Sequence, residues 1–303
     1  MEPSAPGSGV AMASASGPLA DVAAYRRFFA EEIEACAGLR TPRLVEAFAT
    51  IPREQFLGSG PWITRSEADF GGPSRQTPDA DPRRVYHNVV LAIDPARQLF
   101  NGQPSTLGTW IDALEIRPGA CVLHVGAGSG YYSAILAHIA GPAGRVVAIE
   151  VDEALAALAR RNLEPYGWVD VRHGDATTGL GESFDAILVN AGATHPRDEW
   201  LDALKPDGRM VLPLTVSMDP GAPIGKGIVV LVSKDGDASS FGARLLTFVA
   251  IYSGQAIRDA EMNVRLGKAL ARNAWPKLAR LRRDRHEQVP SCWLHTDTFC
   301  LGM

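Results

Sequence analysis

Apolar positions change their period near residue 119, and the change separates two styles of folding. Before it, helical spacing dominates. Val22, Tyr25, Phe29, Ile33 and Cys36 recur at three- and four-residue steps, predicting a helix that Asp21 can cap. Thr41-Pro42 has the polar-cap-then-proline signature of a second helix, ending before Ile51-Pro52. Residues 58–88 mix Gly, Pro, Asp and Arg without a period, so a long irregular segment is expected there. After residue 119, the apolar runs Cys121–Val125, Val146–Glu150, Val169–His173, Phe184–Val189 and Arg209–Leu214 appear. Helical stretches Tyr131–Ala140, Glu153–Leu163 and Asp198–Leu204 lie between them. This alternation predicts an α/β fold with parallel βαβ units in a doubly wound sheet. Ile228–Ser233 and Ala243–Tyr252 flank Asp235-Gly236 and predict an antiparallel hairpin at one edge. Beyond Ala260 a helix is expected, then a polar segment ending in Cys292-Trp293-Leu294-His295.

Composition narrows the class of protein. The 303 residues are 46% hydrophobic and 21% charged, enough apolar material for a substantial core. Thirty basic against 34 acidic side chains leave a formal charge of −4, so no nucleic-acid partner is expected from bulk charge. No run approaches the roughly 18 apolar residues of a membrane span, and no membrane partner or secretory signal is expected. Four cysteines in so long a chain do not make a disulfide scaffold, so a reduced, cytoplasmic protein is the expectation. Residues 1–20 are mostly Ala, Gly, Ser and Pro and read as a disordered leader. The expected division is a leader over 1–20, a helical and loop region on the substrate side over 21–100, a cofactor-binding domain over 101–258 and a C-terminal extension over 259–303.

The most informative stretch is Val122-Leu123-His124-Val125-Gly126-Ala127-Gly128-Ser129-Gly130-Tyr131: a strand, a glycine-rich turn and a helix start. Glycines admit positive φ and let a ligand approach the main chain, and the helix N-terminus offers unpaired N–H groups. Glu150 ends the next strand, where an acidic group can accept both ribose hydroxyls of an adenosine cofactor. A dinucleotide fingerprint would need glycine at 131, where Tyr131 stands. The G-x-G-x-G actually present resembles the first motif of S-adenosylmethionine-dependent methyltransferases. That resemblance implies cofactor contacts from Gly126, Ala127, Gly128, Gly130, Tyr131, Glu150 and Asn190, with Asp175 near the adenine. His124 replaces the acid usual two residues before the first glycine. Either it is a hydrogen-bonded strand-end histidine, or it touches the cofactor.

The likeness extends further. Val45 to Phe56, with Ile51-Pro52-Arg53-Glu54-Gln55-Phe56, resembles the N-terminal helix and turn of protein-L-isoaspartate O-methyltransferases. So do Leu114 to Gly119, Gly141 to Glu150, Phe184 to Ala193 and Leu204 to Pro213, in the family's order. The resemblance implies a Rossmann-like, mostly parallel seven-stranded sheet with an antiparallel edge hairpin. It also implies methyl transfer from S-adenosylmethionine to a carboxylate, in the family an isoaspartyl side chain of a protein or peptide, and hence a role in protein repair. Asn101-Gly102-Gln103-Pro104-Ser105-Thr106 departs from the family's segment, whose serine sits near the transferred methyl. Ser105 or Thr106 could take that part and Gln103 could contact the acceptor; equally, Ser105 could cap a helix over Thr106–Leu114. The departure keeps two alternatives open: an O-methyltransferase of the same fold for a small molecule or specialised peptide, and a cofactor-binding module without turnover.

A carboxylate is ionised at neutral pH and attacks a sulfonium methyl without a general base, so no catalytic triad is needed. His195, after the fourth strand, is a loop histidine or a substrate-side base. Cys292, His295 and Cys300 lack a C-x-x-C partner, so no metal is expected. Lys277, Arg280, Arg282, Arg283 and Arg285, interrupted by Asp284 and Glu287, read as a solvated helix face.

Overall fold

The structure, a computed structural model, describes residues 22–66, 73–217, 223–235, 240–273 and 275–303. The leader, the Asp21 cap and Gly236 of the hairpin turn lie outside the described residues. Helices α1 (Val22–Ala37) and α2 (Pro42–Thr50) come first. Pro42 sits in the first turn of α2, where its missing N–H costs nothing, and Thr41 makes no side-chain cap bond. The segment without a period is more ordered than expected. Here β1 (Ile63–Arg65) and β2 (Arg75–Gln76) join β3 (Val90–Asp94) and β4 (Leu99–Phe100) in an antiparallel sheet ordered β2-β1-β3-β4. Strands of two or three residues are too short to display an alternation.

Helix α3 (Pro104–Ala113) leads into a ten-stranded sheet. Its parallel part contains β5 (Cys121–Val125), β6 (Arg145–Glu150), β7 (Val169–His173), β8 (Phe184–Val189) and β9 (Leu204–Val216), ordered β7-β6-β5-β8-β9. Helices α4 (Tyr131–Ala140), α5 (Glu153–Leu163) and α6 (Asp198–Ala203) make the crossovers. The expected hairpin, β10 (Ile224–Ser233) with β11 (Ser240–Tyr252), pairs antiparallel beyond β9 and completes seven strands. Three more come from the C-terminal extension. After α7 (Ala260–Arg272), β12 (Arg280–Arg282), β13 (Cys292–His295) and β14 (Cys300–Gly302) continue the edge as β11-β12-β14-β13. The basic run therefore lies on and around β12, which is paired on both sides, rather than on a helix face. Leu281 enters the core and Arg282 pairs with Asp284.

Two-residue alternation along the strands divides the interior. Val122, Val146, Ala186 and Val211 share one core with helices α1 to α5. Leu123, Val147, Ile187 and Leu212 share the other with α6, α7 and the C-terminal strands. No helix among the described residues is long and apolar enough to cross a membrane.

Candidate active site

A cavity of about 190 Å³ opens where β5, β6 and β8 end. The chain leaves β5 toward β6 on one side and meets β8 on the other, the switch point where open α/β sheets bind ligands. Gly126, Ala127, Gly128, Tyr131, Glu150 and Asn190 all line it. Gly128 has φ +57°, and a Cβ there would meet Ile93 at 3.3 Å, so the main chain itself forms the wall. Glu150 is buried. Its Oε2 accepts the Gly128 N–H at 2.7 Å and its Oε1 accepts the Asp152 N–H at 3.0 Å. One carboxylate thus holds the glycine turn and the start of α5 around the cavity.

A second cavity, about 210 Å³, adjoins the first and shares Phe100, Asn101, Asn190 and Tyr252 with it. Thr106, Trp110 and Arg65 also line it. The Arg65 guanidinium lies over the Phe100 ring, 4.3 Å from its centroid. Asn101 Oδ1 accepts the Leu91 N–H at 2.9 Å, which fixes the amide. Its Nδ2 is then buried with no hydrogen-bond partner among the described residues, a donor at the junction of the two cavities. An open groove of about 750 Å³ lies beyond, between α3 and the β10–β11 hairpin, and shares Thr106, Trp110, Val249 and Ala250 with the second cavity.

Several expected site residues are elsewhere. Asp175 is exposed and turned to Thr177, accepting from its N–H and its hydroxyl at 2.8 Å each. Gly130 lines neither cavity. It takes φ +95° at the start of α4, and a Cβ there would lie 2.9 Å from Leu163, so glycine is needed for α5 to pack. Ser105 does not cap a helix starting at Thr106, because α3 begins at Pro104 with Gln103 as its N-cap residue. The Ser105 hydroxyl accepts from Asn88 Nδ2 at 2.9 Å and Gln103 Nε2 at 3.2 Å, while Asn88 Oδ1 accepts the Ser105 N–H. Ser105 borders the outer groove, and Gln103 lines neither inner cavity. His195 stacks on Phe299 of the extension, with centroids 6.4 Å apart, and its Nδ1 pairs with Thr194 Oγ1. Burial, followed by the Arg197 charge, lowers its pKa.

Two groups from the glycine and proline motifs are structural. His124 is fully buried, lines neither cavity and pairs through Nδ1 with Ser133 Oγ at 2.8 Å. Burial lowers its pKa to about 3, so it is neutral in the folded protein. The unfolded chain protonates it below about 6.5, so the stability held above that pH is lost as pH falls toward 3. Between pH 7 and 5 the native protein should lose about 2 kcal/mol more stability than His124→Gln. Urea unfolding at both pH values checks this, and equal losses would remove the buried histidine from the explanation. Arg53, also fully buried, donates to the carbonyls of Val85 at 2.8 Å, His87 at 3.0 Å and Val89 at 2.8 Å. It anchors the segment that carries Asn88 and leads into β3. The family-like Pro-Arg-Glu sequence contained that signal, while Asn101 and Arg65 had no sequence pattern to mark them.

The sequence profile of the family "Protein-L-isoaspartate(D-aspartate) O-methyltransferase (PCMT)" matches residues 75–235. The protein-L-isoaspartate O-methyltransferase of Methylorubrum extorquens is 34% identical over 252 residues, covering 80% of this chain and 95% of that one. That of Methanopyrus kandleri is 32% identical over 194 residues, covering 62% and 76%. A crystal structure of a putative protein-L-isoaspartate O-methyltransferase from Plasmodium falciparum, in complex with S-adenosyl-L-homocysteine, superposes with a TM-score of 0.56. At 15% identity over 76% of this chain and 98% of that one, it shows a shared fold. The glycine turn, the sheet order and these matches together make the chain a member of the protein-L-isoaspartate O-methyltransferase family of S-adenosylmethionine-dependent methyltransferases.

Proposed function

We propose that the chain transfers a methyl group from S-adenosylmethionine to the side-chain carboxylate of an L-isoaspartyl residue in a protein or peptide. The observation that carries this reading is the line of three spaces: cofactor cavity, inner acceptor cavity and open outer groove, each sharing walls with the next. An acceptor side chain enters the middle space while its main chain stays in the groove. A small molecule would not need the groove. In this reading residues 101–258 hold the cofactor, 21–100 supply acceptor walls and, among the described residues, 259–303 reach the site only through Leu270 at the outer groove.

The residues fit such a cofactor. Main chain without side chains at Gly126 and Gly128 admits it closely, and Glu150, already held by two N–H groups, has lone pairs left for ribose hydroxyls. When bound, S-adenosylmethionine supplies the electrophilic methyl of a sulfonium. Arg65 draws the acceptor carboxylate into the inner cavity by charge. Asn101 Nδ2, with no other partner among the described residues, donates to one carboxylate oxygen and aims the second at the cofactor side. Thr106 lines the same cavity and takes the place that the family's serine holds. Phe100, Trp110 and Tyr252 exclude water, which would otherwise stabilise the separated charges more than the transition state in which they cancel. Orientation supplies much of the remaining acceleration.

Methyl incorporation into an isoaspartyl peptide and its aspartyl twin tests the acceptor: labelling is expected for the first only, and equal or absent labelling of both rejects it. A pair of variants tests the geometry. Asn101→Asp keeps the acceptor for Leu91 but removes the donor, and should lower kcat/KM about 10- to 30-fold. Ser105→Ala should cost about 1 kcal/mol of stability and leave the rate of the folded enzyme nearly unchanged. The reverse pattern would return Ser105 to the reacting groups.

A further inference from the structure

The C-terminal extension brings together four side chains that sequence spacing alone did not connect. His286, Cys292, His295 and Cys300 place one ligand atom each within 4.8 Å of one another. We propose that these residues form a structural zinc site that fastens the last strands to the sheet.

The donor set selects the metal. Two sulfurs and two imidazole nitrogens form the mixed set favoured by zinc, and no carboxylate is among them to suit a hard cation. Two thiolates also neutralise a divalent ion, so a partly buried site carries no net charge. Four protein ligands leave no open position, which marks a structural site rather than a catalytic one.

The local geometry agrees. Bonds of 2.3 Å to sulfur and 2.0–2.1 Å to nitrogen at a tetrahedral angle place those atoms about 3.6 Å apart. Cys292 Sγ and His286 Nε2 are 3.6 Å apart. His286 Nδ1 is 3.0 Å from the Asp284 carbonyl; donating its proton there leaves the Nε2 lone pair facing the cluster, an outer hydrogen bond of the kind that orients metal-bound histidines. The Val289 N–H donates to Cys292 Sγ at 3.4 Å, a bond that supports a thiolate. Nδ1 of His295 is buried with no hydrogen-bond partner among the described residues. A cleft lined by His286, His295, Thr296 and Asp297 gives the ion a way in.

The topology states what such an ion would do. His295 and Cys300 face one another across the β13–β14 pair, Cys292 begins β13, and His286 belongs to the connection from β12. One ion would tie the outermost hairpin to the chain that precedes it. None of the four residues lines the cofactor or acceptor cavities, so the proposal stands independently of the methyl acceptor.

The test is metal analysis of the full chain purified without chelator, followed by cobalt(II) titration of the metal-stripped protein. About one zinc per chain is expected, and cobalt should give tetrahedral d–d bands with thiolate-to-cobalt charge transfer. His286→Ala and Cys300→Ser should each lose the zinc, and a chelator should lower the melting temperature of the native chain but not of His286→Ala. Should either variant fail to fold, the cobalt spectrum of the unaltered chain still decides. Absence of both retained zinc and a charge-transfer band overturns the proposal. So does a peptide map of the unreduced chain in which Cys292 and Cys300 are joined as a disulfide.

Discussion

Replacing Glu150 with Ala should weaken S-adenosylmethionine binding about 100-fold or more, whereas Asp175→Ala should leave affinity within about threefold. The asymmetry follows from what each carboxylate touches. Glu150 is buried at the end of β6, lines the cavity and accepts the N–H groups of Gly128 and Asp152. Its loss leaves both donors unpaired and removes the acceptor for ribose. Bonds to a charged group contribute about 1.5–3 kcal/mol each, so two bonds lost suffice for the stated change. Asp175 spends its oxygens on Thr177 and faces solvent. Calorimetric titration of both variants is the check. Near-native affinity in Glu150→Ala would mean that the cofactor lies elsewhere, and a large loss in Asp175→Ala would mean that its loop turns inward on binding.

Arg53→Met should lower stability by about 3–5 kcal/mol, seen as a fall of roughly 5–10 °C in melting temperature. Burial lowers the pKa of this guanidinium, yet three main-chain carbonyls, and the Phe29 and Tyr131 rings 5.7 and 5.8 Å away, hold it in place. Methionine fills much of the volume but returns no donor to the carbonyls of Val85, His87 and Val89. Arg53→Lys should recover only part of the loss, because an ammonium cannot span three acceptors as the planar fork does. The segment it anchors carries Asn88, which holds the first turn of α3 through Ser105. Folded Arg53→Met should therefore also show a raised KM for the acceptor with cofactor affinity little changed. A melting temperature equal to that of the native chain would show that the three bonds are replaced by water at no cost.

The amino-acid sequence by itself determined the parallel part of the sheet, the antiparallel hairpin and the cofactor turn. Each rests on a local rule. Strands buried on both faces read as continuous apolar runs, and helices between them follow a 3.6-residue period. A glycine turn followed by an acid at the next strand end lies within 30 residues of chain, so Gly126, Gly128 and Glu150 could be placed together before any fold was known. The tertiary structure alone decided the rest. Whether Ser105 or Thr106 enters the acceptor cavity depends on the rotation of the first turn of α3, which Pro104 begins and Asn88 holds from outside the helix. Asn101 has an unpaired donor only because Leu91, on a neighbouring strand, takes its carbonyl oxygen. The β12–β14 strands are three or four residues long, too short for any period, and they pair only because β11 presents an open edge to them. His286, Cys292, His295 and Cys300 likewise meet through that pairing. Periodicity reports which face of an element is buried, but not which distant side chain lies against it, and every one of these contacts spans elements that local pattern treats as separate.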